Sequence, residues 1–176
     1  GFLKKKVGKN KFSSYRFQRS IIAFKNHVII TDDKGYIFNV SDSGKIKWKK
    51  NIYTKSHKQL YKNLSISISK NIIYVADNIG FVYAINVGDG TLIWIKNYGT
   101  PFSSHIKIYN KKIFLIDQNN KIISLNIDDG SYVWNILSIS SFIKSQTLLP
   151  LAISKKEALI VLNSAGDLFS IGESDG

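Results

Sequence analysis

The sequence predicts an all-β chain built from four copies of one unit, and two regularities support that prediction. The first is a turn that opens with an acidic or amide residue, and these residues are separated by 45, 40 and 46 positions: Asp32, Asp77, Asp117 and Asn163. The second is a later turn glycine, which recurs after 46, 40 and 46 positions: Gly44, Gly90, Gly130 and Gly176. Two markers with nearly one spacing, in a chain rich in β-branched and aromatic residues, indicate a repeat of short strands.

The clearest copy of this unit runs from Asp77 to Trp94 and reads DNIGFVYAINVGDGTLIW. Gly80 can close the first turn because glycine adopts a positive φ at little cost. Residues 81–85 form a β-branched and aromatic strand with the small Ala84 inside it, residues 88–90 form a second turn, and a last strand ends at Trp94. A repeat of about 40–50 residues made of such strands is typical of a β-propeller blade.

We therefore predict a β-propeller of four-stranded antiparallel blades over residues 20–176, with blades at about 20–50, 64–97, 103–137 and 148–176, the last one incomplete. Strands are expected near 20–24, 27–31, 35–40, 45–49, 65–69, 72–76, 80–86, 91–96, 105–109, 113–117, 121–127, 131–136, 149–153, 158–162 and 167–171. The basic segment 1–19 is interpreted as the outer strand of a preceding blade, with a mobile arm as the alternative. The chain begins and ends inside these patterns, so we expect it to be a piece of a longer protein.

Composition narrows the function classes without choosing one. The net charge of +13 permits binding to nucleic acid, anionic lipid or an acidic protein, although lysines are spread along the whole chain and fit a compositional bias. The chain has no cysteine, which excludes disulfides and thiolate metal sites. No apolar run reaches the roughly 20 residues that a membrane helix needs.

No residue can be nominated as a catalyst. The acidic residues fall mainly in the repeated turns, where an aspartate is more simply a turn residue than a catalyst. The histidines, His27, His57 and His105, are not spaced as a metal pair or as part of a hydrolytic triad. No glycine-rich phosphate loop is present. We predict no catalytic, cofactor-binding or metal-binding residues.

Two lysine-rich stretches are candidates for contacts outside the blades. In the strand at 45–49, Lys45, Lys47 and Lys49 alternate with apolar residues, a pattern that protects the edge of an outermost strand from pairing with other chains. The connection 50–63 is long and basic and contains Tyr53, His57 and Tyr61. It is either a solvated linker between blades or a partner-binding loop, and these three residues are its candidate contacts.

The repeat resembles the tryptophan-docking motif of PQQ-type, or quinoprotein alcohol dehydrogenase-like, β-propellers. Over roughly residues 20–176 the best copy has Gly80, Tyr83 and Ala84 followed by Gly90 and Trp94. The other copies keep Trp48 and Trp134, with Asn39, Ser124 and Ser170 at the position of Ala84. The resemblance implies about four blades of a seven- or eight-blade ring. Each tryptophan ring is expected to pack on the neighbouring blade, in the room left by the small residue, with its indole N–H bonded to the backbone.

The resemblance implies two functions between which the residues leave the choice open. A quinoprotein dehydrogenase would hold PQQ and calcium in the central funnel and often has a vicinal cysteine pair, whereas this chain has no cysteine. The chain is most similar to the periplasmic lipoprotein scaffold of the outer-membrane β-barrel assembly machinery. That scaffold implies a protein partner in the machinery, periplasmic localisation, no cofactor, no small-molecule substrate, and a membrane attachment only through a lipid anchor outside this chain. A sensor or nucleic-acid-binding propeller is a third class.

Overall fold

The computed structural model describes residues 21–138, 145, 148–154, 156 and 158–172. These residues form fifteen strands in four antiparallel sheets, called blades 1 to 4 here, and each sheet follows the chain order of its strands. Blade 1 contains β1 (Ile21–Phe24), β2 (His27–Thr31), β3 (Tyr36–Val40) and β4 (Ile46–Asn51). Blade 2 contains β5 (Leu64–Ser69), β6 (Ile72–Asp77), β7 (Phe81–Asn86) and β8 (Leu92–Asn97).

The remaining strands repeat the same arrangement. Blade 3 contains β9 (Lys107–Tyr109), β10 (Lys112–Ile116), β11 (Lys121–Asn126) and β12 (Tyr132–Leu137). Blade 4 contains β13 (Leu151–Ile153), β14 (Ala158–Leu162) and β15 (Leu168–Gly172). The predicted fold class is confirmed: the chain is an all-β, partial β-propeller whose four sheets form an open arc. Gly176 and segment 1–19, with its predicted strand or arm, lie outside the described residues.

The hydrophobic core lies between neighbouring blades, so a middle strand is buried on both faces. Along β7, Tyr83 and Ile85 belong to the cluster between blades 1 and 2. Val82 and Ala84, which point the other way, belong to the cluster between blades 2 and 3. This packing explains why the middle strands are nearly continuous apolar runs instead of alternating apolar and polar residues.

The first strand of each blade lies at the inner side of the arc, where β1, β5, β9 and β13 contact one another in turn. Hydrogen bonds fix their relative directions. The backbone N–H of Ile106, just before β9, donates to the Ser65 hydroxyl at the start of β5, at 3.0 Å. A parallel bridge joins Ser104 to Leu149 just before β9 and β13. β5, β9 and β13 therefore run in the same direction. The Lys25 ammonium in the turn after β1 donates to Asn71 in the turn after β5, so β1 shares that direction and equivalent turns of the four blades lie on the same rim.

The tryptophans contact the next blade in the way the repeat predicts. The Trp48 indole N–H donates to the carbonyl of Val87 at 2.8 Å, and that of Trp94 donates to the carbonyl of Ile127 at 3.2 Å. A Cβ added to Gly90 would lie 2.9 Å from the Trp48 ring, and one added to Gly130 would lie 2.8 Å from the Trp94 ring. Both glycines also have φ near +70°, so ring contact and backbone conformation both require glycine there.

The small residues of the motif lie directly across the sheet from the tryptophans. The facing pairs are Asn39 with Trp48, Ala84 with Trp94, and Ser124 with Trp134, and a β-bulge follows each of them. The Asn39 side-chain N–H also donates to the Val87 carbonyl, at 2.7 Å, so it shares an acceptor with Trp48. The turn that would receive Trp134 contains Gly176 and lies outside the described residues.

Only one short helix, a 3₁₀ turn at Lys55–His57, occurs in the described part of the chain, and the sequence did not predict it. Nothing helical in those residues has the length and apolar character of a membrane span. Among the described strands, β4 is the outermost of blade 1 and pairs with β3 alone, and Lys45, Lys47 and Lys49 are exposed around it. Asn120, which replaces the turn glycine Gly80, has φ +63°, as expected for the residue that best tolerates the left-handed region.

Candidate partner-binding surface

The turn between the two middle strands of each blade is organised by the acidic or amide residue that opens it. The Asp77 Oδ1 accepts hydrogen bonds from the backbone N–H groups of Ile79, Gly80 and Phe81 at 2.8–2.9 Å. Equivalent bonds to backbone N–H groups are made by Asp32, Asp117 and Asn163. The interpretation of these residues as turn residues is confirmed. The Oδ1 atom of each already accepts hydrogen bonds from the backbone of its own turn.

The connection from blade 1 to blade 2 folds against these turns. Tyr53 is 6% exposed, and its hydroxyl donates to the Asp77 Oδ2 at 2.6 Å. Its ring meets the Tyr83 ring edge-on, with centroids 5.7 Å apart. A Cβ added to Gly35, whose φ is +81°, would lie 2.2 Å from the Tyr53 ring. Tyr53 thus fills the junction between the two blades.

Lys62 closes the other end of the connection. It is fully buried, and its ammonium group donates to the carbonyls of His57 and Leu60 and lies 4.7 Å from the centroid of the Tyr53 ring. Its backbone N–H donates to the Asp33 carbonyl at 3.0 Å. Burial lowers the pKa of the Lys62 ammonium. The carbonyls and the ring compensate the buried charge and fix the shape of the loop.

The outer side of this connection forms a surface that we call the 57–61 ridge. Leu60 and Tyr61 are 47% and 45% exposed, and Lys58 is also exposed. His57 is half-buried, with its ring 5.6 Å from that of Phe81 and its Nδ1 3.2 Å from the Thr54 hydroxyl. The Asn78 side chain donates to the carbonyl of residue 61 at 3.2 Å. The ridge therefore combines apolar, aromatic and basic side chains on a fixed backbone.

The three predicted contact residues are thus placed differently. Tyr53 does not present its ring to a partner, because its hydroxyl pairs with Asp77 and its ring is buried between blades. The burial of Tyr53 does not fit the contact role that the sequence suggested for it. Tyr61 lies on the surface and His57 at its edge, and their contact with a partner stays a prediction. Leu60 and Lys62 were not predicted, since nothing local distinguishes one lysine of a basic stretch from another.

No group of three or more His, Cys, Asp or Glu side chains with metal-binding geometry occurs among the described residues. His27 forms a hydrogen bond with the Asn39 side chain at 3.0 Å. His57 lies in a different part of the chain, where its partner is Thr54. The arrangement offers a surface for recognition, and its buried polar groups hold the two blades together.

The buried tyrosines predict alkaline instability. Burial, reinforced by Asp77, raises the pKa of Tyr53 and of Tyr83, and burial raises the pKa of Tyr74 to about 12. In the unfolded chain a tyrosine ionises near pH 10. Since the folded pKa is the higher one, the stabilisation is complete below about pH 10 and is lost as the pH rises above it.

We therefore expect the free energy of unfolding to fall by about 1.4 kcal/mol per pH unit above pH ~10 for each tyrosine that stays protonated in the fold. Denaturant titrations between about pH 8 and 11, read alongside phenolate absorbance, measure this slope. Ionisation of all nine tyrosines near pH ~10 in a still-folded chain would contradict it.

Blades of four antiparallel strands, joined by a tryptophan that contacts the glycine turn of the next blade, define the chain as a β-propeller of the PQQ-like class. The profile of the family described as outer membrane protein assembly factor BamB matches residues 33–176. The chain belongs to this family.

Individual relatives agree with the assignment at lower coverage. BamB of Salmonella typhimurium is 27% identical over 86 residues, which are 43% of this chain and 22% of that protein. The crystal structure of BamB from Moraxella catarrhalis has a TM-score of 0.74 at 15% identity and covers 95% of this chain and 50% of that one. A quinohemoprotein alcohol dehydrogenase from Pseudomonas putida HK5 has a TM-score of 0.71 at 12% identity, and the match covers 90% of this chain and 33% of that one. These structural similarities show the fold alone, and the chain spans half or less of each relative.

Proposed function

We propose that this chain is a non-enzymatic, protein-binding propeller scaffold that assists the assembly and insertion of outer-membrane β-barrel proteins from the periplasmic side of the outer membrane. The observation that carries the proposal is the match of the BamB family profile over residues 33–176. That family is named as an assembly factor. The partners we propose for this chain are therefore other proteins of the assembly machinery.

The use of the acidic side chains supports a binding role over catalysis. Asp32, Asp77 and Asp117 accept backbone hydrogen bonds in their own turns, and Asp77 also accepts the Tyr53 hydroxyl. A catalytic carboxylate needs a free oxygen facing a substrate, and a calcium site needs six or more converging oxygens. Among the described residues these aspartates are spread one to a blade, and each belongs to its turn.

The 57–61 ridge is the proposed contact surface. Tyr61 and Leu60 offer exposed apolar area on a backbone that Lys62 and Asn78 fix, so little conformational entropy is lost when a partner binds. Tyrosine is enriched in interfaces because it combines a large rigid ring with a polar tip. Lys58 beside them adds positive charge that would steer an acidic partner and make association sensitive to salt.

A binding assay with the purified periplasmic domains of the machinery's central subunit tests the proposal. We expect saturable binding by the wild-type chain and a loss of at least about tenfold for Leu60→Ala/Tyr61→Ala, the size of an interface hot spot. The matched control is Leu92→Ala/Tyr132→Ala, which removes the same two residue types from exposed positions on outer strands β8 and β12. We expect that control to bind within about twofold of wild type.

Each other outcome has a definite meaning. Loss of binding only in the β8 and β12 variant would move the interface to the unpaired outer strands and reject the ridge. No binding by the wild-type chain would reject the scaffold role. Saturable binding of PQQ with calcium, accompanied by dye-linked alcohol oxidation, would show that the chain is part of a quinoprotein dehydrogenase and not a scaffold.

A further inference from the structure

Each blade has an exposed lysine in the turn between its two innermost strands. We call this set the lysine arc: Lys25, Lys70, Lys111 and Lys156. Because β1, β5, β9 and β13 run in the same direction, these turns lie on one rim, next to the central axis. The Lys25 ammonium donates to the Asn71 side chain at 3.2 Å, so the turns of blades 1 and 2 are within reach of each other. The arc places one exposed lysine per blade along the inner edge of this rim.

The backbone conformation at these positions does not favour lysine. Lys25, Lys70 and Lys111 have φ of +51°, +51° and +59°, in the left-handed region. A two-residue hairpin turn there favours glycine, asparagine or aspartate, because other side chains are strained at positive φ. The fold therefore gives no reason for lysine at the same turn of three successive blades.

The charges of the arc are available to a ligand. No ion pair in the described part of the chain engages Lys70, Lys111 or Lys156, and Lys25 makes only the bond to Asn71 and a contact with the Phe24 ring. On the same rim but further from the axis, the turns between the outer two strands hold exposed aspartates: Asp42, Asp89, Asp128 and Asp129. Hydrogen bonds from Thr91 and Ser131 lower the pKa of Asp89 and of Asp129, so both stay charged at neutral pH.

This pattern selects the shape of the ligand. A flat anionic membrane or a wide duplex that covered the rim would meet the outer aspartates, which oppose its binding even though Lys50 lies near Asp89 and Lys96 near Asp129. A narrow anionic chain can follow the inner lysines without touching the aspartates. Carboxylates spaced along an extended peptide suit this track, because each ammonium is a point charge on a flexible stem.

We propose that the lysine arc is a second binding surface, specific for an acidic polypeptide segment that lies along the inner rim of the propeller. The 57–61 ridge lies on the opposite rim, since its loop contacts the turns around Asp33, Asp77 and Asn78 between the two middle strands. The two surfaces can be occupied together, and the arc stands whether or not the ridge binds the assembly machinery.

Fluorescence anisotropy with the full chain tests the proposal. The probe is a labelled peptide of alternating glutamate and glycine, and its glutamine counterpart is the uncharged control. We expect Lys25→Gln/Lys70→Gln/Lys111→Gln to weaken binding at least about tenfold at low ionic strength. The matched variant Lys34→Gln/Lys49→Gln/Lys121→Gln removes the same charge from two turns of the opposite rim and from outer strand β4, outside both proposed surfaces, and should stay within about twofold of wild type.

A second variant separates binding from turn structure. Lys70→Gly/Lys111→Gly should keep or raise the melting temperature, because glycine is unstrained at positive φ, while it weakens peptide binding. A drop in melting temperature would show that these lysines serve the turns and would overturn the proposal. Equal weakening by the two glutamine variants would overturn it too, since binding would then follow net charge alone. Arc-dependent binding of phosphatidylglycerol vesicles or of a DNA oligonucleotide, without peptide binding, would assign the arc to that ligand instead.

Discussion

Replacing Trp94 with alanine is expected to lower the free energy of unfolding by about 3 kcal/mol, the low end of the 3–5 kcal/mol typical of aromatic-to-alanine changes. The low end applies because the ring is half-buried. The change removes the bond to the Ile127 carbonyl, the contact with Gly130 and the ring contact with Tyr74, whose centroid is 6.1 Å away. The bond to Ile127 and the contact with Gly130 join blade 2 to blade 3, whereas Tyr74 belongs to blade 2 itself.

Urea denaturation followed by circular dichroism measures this effect. Trp48→Ala should cost a similar amount, since Trp48 bonds to Val87 and packs on Gly90 in the same way. The control is Leu92→Ala on the same outer strand, where the side chain is 53% exposed and the expected loss is below about 1 kcal/mol. Equal stability of the Trp94 and Leu92 variants would contradict the role of the ring between blades.

The strands and the tryptophan contacts were predictable because the repeated sequence motif specifies both. A turn glycine, a strand with a small residue and a tryptophan at fixed separations specify one sheet, and copying that sheet places Trp94 beside the glycine turn of the next copy. Every predicted strand lies within two residues of an observed one. Local turn chemistry and hydrophobic pattern suffice for this level.

The connection 50–63 was harder, because its structure depends on neighbours that are distant in sequence. Tyr53 is buried by its bond to Asp77, 24 residues away, and by the space that Gly35 leaves. One signal was available. A tyrosine also follows the outer strand of blade 2, where the Tyr98 hydroxyl donates to the Gly130 carbonyl at 2.5 Å. A tyrosine recurring after outer strands indicates an inter-blade contact, whereas the burial of Lys62 has no counterpart in the repeat.

Replacing Asp77 with alanine is expected to have the largest effect of any single change at the junction, about 3–5 kcal/mol of unfolding free energy. The substitution removes the acceptor of three backbone N–H groups in a partly buried turn and leaves the buried Tyr53 hydroxyl without its partner. Each unsatisfied buried group costs about 1–3 kcal/mol. Because the turn and Tyr53 belong to different blades, the loss also loosens the connection that fixes the 57–61 ridge.

A double-mutant cycle with Tyr53→Phe isolates the inter-blade part. Tyr53→Phe alone should cost about 1–2 kcal/mol, and in the Asp77→Ala background it should cost close to nothing, because the hydroxyl has already lost its acceptor. The matched control is Asp89→Ala, which removes an aspartate that makes similar turn bonds to Thr91 but is exposed, and its expected cost is below about 1 kcal/mol. If Tyr53→Phe destabilises both backgrounds equally, the bond at 2.6 Å does not couple the blades, and the rigidity of the ridge must come from Lys62 alone.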